Sequence, residues 1–113
     1  MKKEIKKKVK IVAQEHGYEE QSRQCMEELA ELAQAVNKEF RAIRSGDPEK
    51  YEEAHQNLIE EMADALVMIM QVKHLTGIRG IELRKAMDAK LDAKLDEIWN
   101  GVHIEVQVGV VNE

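Results

Sequence analysis

The stretch EELAELAQAVNKEFRAI, residues 27–43, decides the fold because its apolar side chains repeat with the period of an α-helix. Apolar residues recur every three or four positions, at Leu29, Ala33, Val36, Phe40 and Ile43. This spacing predicts an amphipathic helix from about Glu19 to Arg44, with the apolar stripe facing the core.

The residues around this helix predict three more helices. Gly17 is expected to end a first helix over Lys3–His16, and Asp47 followed by Pro48 is typical of the start of a third. The apolar positions of the third helix are Leu58, Met62, Ala65, Leu66, Ile69 and Val72. TGIRG, residues 76–80, predicts a turn, and a fourth helix is expected over Ile81–Trp99 with Gly101 as its stop.

The C-terminal residues change period. Apolar residues alternate with other residues at Val102, Ile104, Val106, Val108 and Val110. Period 2 is the mark of a strand, and a single strand needs a partner, for which a second copy of the chain is the simplest source. The sequence therefore predicts one all-α domain over residues 1–113, a four-helix bundle of about residues 3–100 with a short C-terminal β-strand tail at 102–111.

Composition excludes several classes of function. The net charge of −5 argues against general nucleic-acid binding, although MKKEIKKKVK, residues 1–10, is locally basic. Because Ile5, Val9 and Val12 recur there at helical spacing, those lysines are interpreted as a solvated helix face. Cys25 is the only cysteine, and no apolar run reaches membrane-spanning length. With no secretory signal at the N-terminus, a reduced cytoplasmic setting is predicted, and the small core favours self-association.

A five-residue pattern occurs twice, as EELAE at 27–31 and EEMAD at 60–64. At about 100° per residue, Glu28 and Glu31 take the same flank relative to Leu29 that Glu61 and Asp64 take relative to Met62. Glu27 and Glu60 lie farther round, either reaching in from the edge or facing water. Antiparallel packing of the two helices would bring four carboxylates to one small volume.

Clustered carboxylates raise one another's pKa values and destabilise a fold unless a cation compensates them. Ligands that are all oxygen suit Mg²⁺, with Mn²⁺ as a substitute, and such a site is suited to binding a polyphosphate. Gln21 and Gln24 precede these acids by about one turn or more, where they either reach a base edge or lie on the surface.

The paired motifs resemble the EExxE…ExxD signature of MazG-like nucleoside triphosphate pyrophosphohydrolases, a family of the all-α NTP pyrophosphatase superfamily. The resemblance spans roughly residues 19–95. It implies a dimeric or tetrameric helical bundle that uses Mg²⁺ to convert (d)NTPs to monophosphates and pyrophosphate, with house-cleaning of non-standard nucleotides as a family-level expectation. It assigns the metal ligands to Glu28, Glu31, Glu61 and Asp64.

Further roles follow from the same resemblance. Glu27 and Glu28 are implied as catalytic residues, with Glu27 holding a second metal or orienting water. Lys90 and Lys94 of AKLDAK, residues 89–94, are implied as phosphate contacts. Gln24 is the candidate base contact because of its position one turn before the acids, and not because of the resemblance. The asparagine that family members often place soon after this lysine is missing, since the next one is Asn100. RSGDPEKYEEAH, residues 44–55, is expected to form an extended loop.

Other functions stay open at the level of sequence. A non-enzymatic adaptor or regulatory bundle would use the methionines Met62, Met68, Met70 and Met87 as a partner surface. A di-iron bundle needs two ExxH motifs, whereas the chain has one, at Glu52–His55. Within the superfamily, a phosphoribosyl-ATP pyrophosphohydrolase and a dUTPase remain alternatives, and neither the base, the sugar nor the choice of dimer or tetramer is decided.

Overall fold

The computed structural model describes residues 2–107, with side chains through residue 100. Over that range the chain is all-helical, as predicted, and forms α1 (Lys3–His16), α2 (Tyr18–Ser45), α3 (Pro48–Leu75) and α4 (Gly80–Gln107). It divides into two units, one ending at Gly77 and one beginning at Ile78. Among the described helices, none combines the length and the apolar character that a membrane span requires.

The turn between α2 and α3 follows the predicted capping chemistry. Gly46 ends α2 in a left-handed conformation with φ of 72°. The Asp47 carboxylate accepts a hydrogen bond from the backbone N–H of Glu49 at 2.9 Å, and Pro48 is the first residue of α3. Only residues 46–47 separate the two helices, which therefore form an antiparallel hairpin. The extended loop expected over residues 44–55 is wrong, because Pro48 starts the helix instead of lengthening the turn.

Three helices pack in the first unit through mostly small side chains. The buried residues of α2 are Gln21, Cys25, Ala35 and Ala42, and those of α3 are Ala65, Met68 and Gln71. From α1, Val9 and Ala13 are buried while the surrounding lysines are exposed, in agreement with the predicted solvated face. Small residues along a contact allow helix axes to approach closely, so the α2–α3 seam is narrow.

The large apolar stripe of α2 lies outside this seam, which corrects the predicted orientation of the helix. Leu29 is 43% exposed, Phe40 55% and Ile43 57%. The matching residue of α3, Met62, is 48% exposed. The prediction was wrong because a second face of α2, which carries the buried residues Cys25, Ala35 and Ala42, packs in the seam instead of the face with the large apolar side chains. Periodicity gives the helix but does not choose between its faces.

Ala65→Leu tests whether the seam is tightly packed. Ala65 is 1% exposed, so three added carbon atoms must displace α2 or a neighbouring side chain. We expect the free energy of unfolding to fall by about 1–3 kcal/mol, measured by urea denaturation. Ala30→Leu is the matched control, because Ala30 is exposed on α2 and should change stability by less than about 0.5 kcal/mol. Equal effects of the two substitutions would contradict a close-packed seam.

The second unit contains α4, and it corrects the predicted end of the chain. α4 continues past Gly101 to Gln107, so Gly101 is not its stop and residues 102–107 are not a strand. A glycine inside a helix costs only about 1 kcal/mol relative to alanine, and extension of an existing helix satisfies each backbone group locally. A lone strand would leave those groups without partners. The rest of the predicted tail, 108–111, lies outside the described residues.

Candidate metal centre

Three of the predicted carboxylates meet at one point of the hairpin. Glu28, Glu31 and Glu61 each bring one carboxylate oxygen within 4.8 Å of the others. Glu28 and Glu61 are partly buried in the seam, and Glu31 lies at its exposed edge. We refer to these three residues as the acid cluster.

The position of the acid cluster follows from the number of residues that separate Glu31 and Glu61 from the turn between α2 and α3. Glu31 lies 14 residues before Ser45, the last residue of α2, and Glu61 lies 13 residues after Pro48, the first residue of α3. Because the two glutamates are separated from the turn by nearly equal numbers of helical residues, they lie at the same level in an antiparallel hairpin. The long interval between the two motifs is therefore built from helix, and a longer loop is not needed to bring them together.

Two oxygens of the acid cluster are buried without a hydrogen-bond partner. They are Oε1 of Glu28 and Oε1 of Glu61. The other oxygen of Glu28 accepts a hydrogen bond from the amide nitrogen of Gln24 at 3.3 Å. Buried carboxylate oxygens normally have a donor or a cation beside them, so these two atoms are the feature of the hairpin that most needs a ligand.

The electrostatics of the cluster disfavour full ionisation. The pKa of Glu31 is raised from its ordinary value of 4.5 to about 7, first because its carboxyl, once protonated, can donate a hydrogen bond to the carboxylate of Glu28. Repulsion by the charges of Glu28 and then Glu61 raises this pKa further, with a smaller effect from Asp64. Without a cation, the cluster therefore retains a proton near neutral pH that a bound cation would displace.

The donor set fits a hard divalent cation. All three side chains offer oxygen, which suits Mg²⁺ or Mn²⁺. Two ligands of one Mg²⁺ are at most about 4.2 Å apart, because each Mg–O distance is about 2.1 Å. The three oxygens of the acid cluster lie within 4.8 Å of one another, which is wider than this limit, so the side chains would have to rotate inward to share one cation.

The remaining predicted residues occupy different positions. Asp64 is exposed and acts electrostatically on Glu31, but it is not among the three acids within 4.8 Å. Glu27 and Glu60 are exposed and also stand outside that group. Lys90 and Lys94 lie exposed on α4, where the Lys94 ammonium is 3.7 Å from the Glu97 carboxylate.

Two polar contacts between α2 and α3 were not predicted from the sequence. Gln21, considered as a base contact or a surface residue, is 5% exposed and donates a hydrogen bond to the amide oxygen of Gln71. Its position one turn before Cys25 and two turns before Glu28 was the available signal. Nδ1 of His55 lies 2.5 Å from the Glu39 carboxylate, so this histidine belongs to a separate pair and not to the acid cluster.

A pH titration of stability tests the geometry of the cluster. Because the folded chain binds the Glu31 proton more tightly than the unfolded chain, stability is expected to fall as pH rises from about 4.5 to about 7. In EDTA, Tm should therefore be lower at about pH 8 than at about pH 5, and Glu31→Gln should reduce this difference. Glu27→Gln is the control, since Glu27 is exposed outside the group. An unchanged pH dependence in Glu31→Gln would contradict the close contact with Glu28.

Comparison with known proteins gives no relative for this chain. No family model, no curated protein and no solved structure matches it.

Proposed function

We propose that this chain is a Mg²⁺-dependent nucleoside triphosphate pyrophosphohydrolase that converts (d)NTPs to monophosphates and pyrophosphate. The observation that carries the proposal is the acid cluster, in which two carboxylates from the repeated motifs have buried oxygens without partners. Mn²⁺ is the expected substitute for Mg²⁺. Non-standard nucleotides are the substrates that the motif resemblance favours.

In the proposed site, Glu28, Glu31 and Glu61 hold the cation, and Asp64 joins them by a side-chain rotation. A Mg²⁺ ion held there would neutralise charge on the triphosphate and would lower the pKa of an attacking water. Glu31 binds a proton when the cation is absent and releases it when the cation enters. The reaction consumes one water, breaks the bond between the α- and β-phosphates and forms a monophosphate and pyrophosphate.

Two residues position groups around the acids in this mechanism. The amide nitrogen of Gln24 donates to Glu28, which fixes the orientation of that carboxylate. Gln24 is thus a positioning residue in this conformation, and its use as a base contact would require it to leave Glu28. Glu27, one residue earlier, is proposed to orient the attacking water or to hold a second cation. For Lys90 and Lys94, which lie on α4 in the second unit, a role as phosphate contacts is what the motif resemblance implies.

The exposed stripe of the hairpin favours self-association. On α2 its large members are Met26, Leu29, Val36, Phe40 and Ile43, and on α3 they are Ile59, Met62, Leu66 and Ile69, all at least 41% exposed. Monomeric proteins rarely expose contiguous apolar patches larger than a few hundred Å². We propose that a second copy covers this stripe, so that two hairpins form the four-helix core of an NTP pyrophosphatase-type dimer, with a tetramer as a dimer of such dimers.

A nucleotide panel tests the proposed reaction. The purified chain is incubated with standard (d)NTPs, dUTP, phosphoribosyl-ATP and oxidised or deaminated NTPs, with Mg²⁺ or with EDTA. Products are separated by ion exchange. Monophosphate and pyrophosphate formed only with Mg²⁺ are the expected result, and the preferred substrate separates the general enzyme from a dUTPase or a phosphoribosyl-ATP pyrophosphohydrolase. Release of single phosphate, or no turnover and no effect of Mg²⁺ on Tm, would contradict the proposal.

The exposed stripe also favours a second candidate function, a non-enzymatic helical adaptor. Its apolar members on α2 and α3 match the pattern by which helices dock into one another. An adaptor needs no cation, so Mg²⁺ would leave its Tm unchanged. Stabilisation by Mg²⁺ that is lost in Glu61→Gln would exclude this candidate.

A further inference from the structure

A basic groove lies at the turn end of the α2–α3 hairpin, apart from the acid cluster. It has a volume of about 520 Å³. Its floor includes Ala42 and Ala54, and the polar residues that line it are Lys38, Arg41, Ser45, Lys50, Glu53 and Asn57. We refer to it as the tip groove.

The tip groove is concave because small side chains face each other across the seam. Ala42 is 8% exposed on α2, and Ala54 is partly buried on α3. The longer polar residues recur every three or four positions on each helix, at Lys38, Arg41 and Ser45 on α2 and at Lys50, Glu53 and Asn57 on α3. Spacing of this kind puts side chains on one helix face, so both helices present cations to the same groove.

The lining of the tip groove carries an unbalanced positive charge. Lys38, Arg41 and Lys50 oppose one carboxylate, Glu53, which gives the lining a net charge of +2 in a chain of net charge −5. In the part of the chain that the structure describes, no ion pair involves any of the three cations; the pairs are His16–Glu20, His55–Glu39, Arg79–Glu82 and Lys94–Glu97. The groove therefore presents three exposed cationic groups that are available to an anion from solution.

The tip groove also contains two neutral polar side chains, of which one is available for a hydrogen bond to a ligand. Asn57 is partly buried, and its amide makes no hydrogen bond among the described residues. Ser45 is already engaged, because its hydroxyl donates to the carbonyl of Ala42 at 2.6 Å and accepts from the N–H of Asp47 at 3.2 Å. The open groups are thus one guanidinium, two ammoniums and one amide. A planar guanidinium next to ammonium groups is the donor set that binds phosphate oxygens.

We propose that the tip groove is an anion site that binds a phosphate group or a short phosphate chain. Helical geometry puts it on the same side of the seam as the acid cluster, since Glu31, Lys38 and Ser45 are seven residues apart along α2. The axial distance from Glu31 to Lys38 is about 10 Å at 1.5 Å per residue. The hairpin thus carries a cluster of acids near its middle and a separate anion site at its tip.

Calorimetric titration with inorganic pyrophosphate in EDTA tests the tip groove without the acid cluster, which cannot hold a cation under these conditions. Arg41→Gln removes one lining guanidinium and is expected to weaken binding about tenfold or more, because a hydrogen bond between a guanidinium and a phosphate oxygen is charge-assisted and stronger than one from a neutral amide. Arg44→Gln is the matched control. It removes the same charge one turn away, where Arg44 lies 5.3 Å from the Phe40 ring and does not line the groove. We expect it to weaken binding less than about twofold, because it removes only a screened, long-range attraction between Arg44 and the anion.

Two results would overturn the proposal. One is no binding of pyrophosphate by the wild-type chain, and the other is an equal loss of affinity in Arg41→Gln and Arg44→Gln, which would indicate a diffuse field and no site. Lys50→Gln, on the other helix, should reproduce the loss seen in Arg41→Gln, so a folding defect in one variant does not decide the outcome.

Two further titrations extend this test. The first identifies the source of the bound phosphate, and the second shows whether the tip groove is independent of the proposed enzyme activity. A groove that binds free phosphate chains takes pyrophosphate and a nucleoside triphosphate with similar affinity, whereas one that binds part of a nucleotide prefers the triphosphate; either ratio supports an anion site. Glu61→Gln must retain pyrophosphate binding in EDTA even if it has no activity. Loss of binding in Glu61→Gln would overturn the assignment of a separate site.

Discussion

Glu61→Gln is expected to reduce nucleotide turnover about 1,000-fold, which corresponds to about 4 kcal/mol of transition-state stabilisation. The substitution keeps the size of the side chain but removes its charge and replaces one carboxylate oxygen by an amide nitrogen. Glu61 is the member of the acid cluster that lies on α3, and its Oε1 is buried without a hydrogen-bond partner. The change should therefore weaken cation binding as well as the positioning of the triphosphate.

The stability of Glu61→Gln distinguishes a functional defect from a folding defect. Removing one of three adjacent carboxylates relieves repulsion, so in EDTA the variant should unfold at the same temperature as the wild-type chain or at a higher one. With Mg²⁺ the order should reverse, because only the wild-type chain gains stability from the bound cation. Thermal unfolding with EDTA and with Mg²⁺ measures both effects on the same samples.

Glu60→Gln is the matched control for this experiment. Glu60 is adjacent in sequence but exposed and outside the three-acid group, so its substitution should leave turnover within about threefold of the wild type. Turnover within tenfold of the wild type in Glu61→Gln would exclude the acid cluster as the catalytic metal site. Equal large losses in both variants would indicate that the whole EEMAD segment acts through its charge, without a defined ligand.

The elements that the sequence predicted well are those set by local chemistry. Gly17 and Asp47 followed by Pro48 act through their own backbone preferences and caps, so the bounds of α1 and the start of α3 could be predicted without knowledge of the packing. The meeting of Glu28, Glu31 and Glu61 was predicted from the matching flanks of the two motifs in an antiparallel pair. The short turn that sets them level was not predicted, because an extended loop was expected there. Their role as cation ligands remains a prediction.

The orientation of α2 could not be predicted, because it depends on size and not on hydrophobicity alone. The stripe containing Leu29 and Phe40 is more apolar than the stripe containing Cys25 and Ala35, yet the second forms the seam within the chain. Small side chains let two helices approach closely, whereas large ones leave an apolar surface for another contact. That division of the two stripes explains why Glu28 is partly buried although its neighbour Leu29 is exposed.

Features that join distant parts of the sequence were the hardest to predict. The cations of the tip groove come from both sides of the turn, and none of them stands in a recognisable motif. The continuation of α4 through residues 102–107 is a different case, since the alternation of valines there indicates a strand while the preceding helix favours its own extension. Helix formation is cooperative, so residues 102–107 continue the preceding helix. The alternation of apolar residues in this short segment gives no information about that effect.

Phe40→Glu is expected to weaken self-association at least about 100-fold, since loss of a central interface aromatic costs about 2–4 kcal/mol and a buried unpaired charge adds to it. Phe40 is 55% exposed and belongs to the apolar stripe, between Val36 and Ile43. In the single chain the substitution should be tolerated. The introduced carboxylate lies one helical turn before Arg44, which now sits over the Phe40 ring, and an acid four residues before a base stabilises a helix.

Light scattering coupled to size exclusion measures the outcome directly. The wild-type chain should elute at two or four times its mass of 13.0 kDa, and Phe40→Glu at micromolar concentration should elute as one chain with unchanged helical circular dichroism. Ile11→Glu is the control, because Ile11 is 68% exposed on α1, outside the stripe, and should leave the mass unchanged. A wild-type chain that is already a monomer would contradict the proposed dimer, and so would a loss of assembly in both variants. If Phe40→Glu is a monomer that retains turnover, each hairpin carries a complete reaction site; if turnover falls with the mass, the second copy supplies part of it.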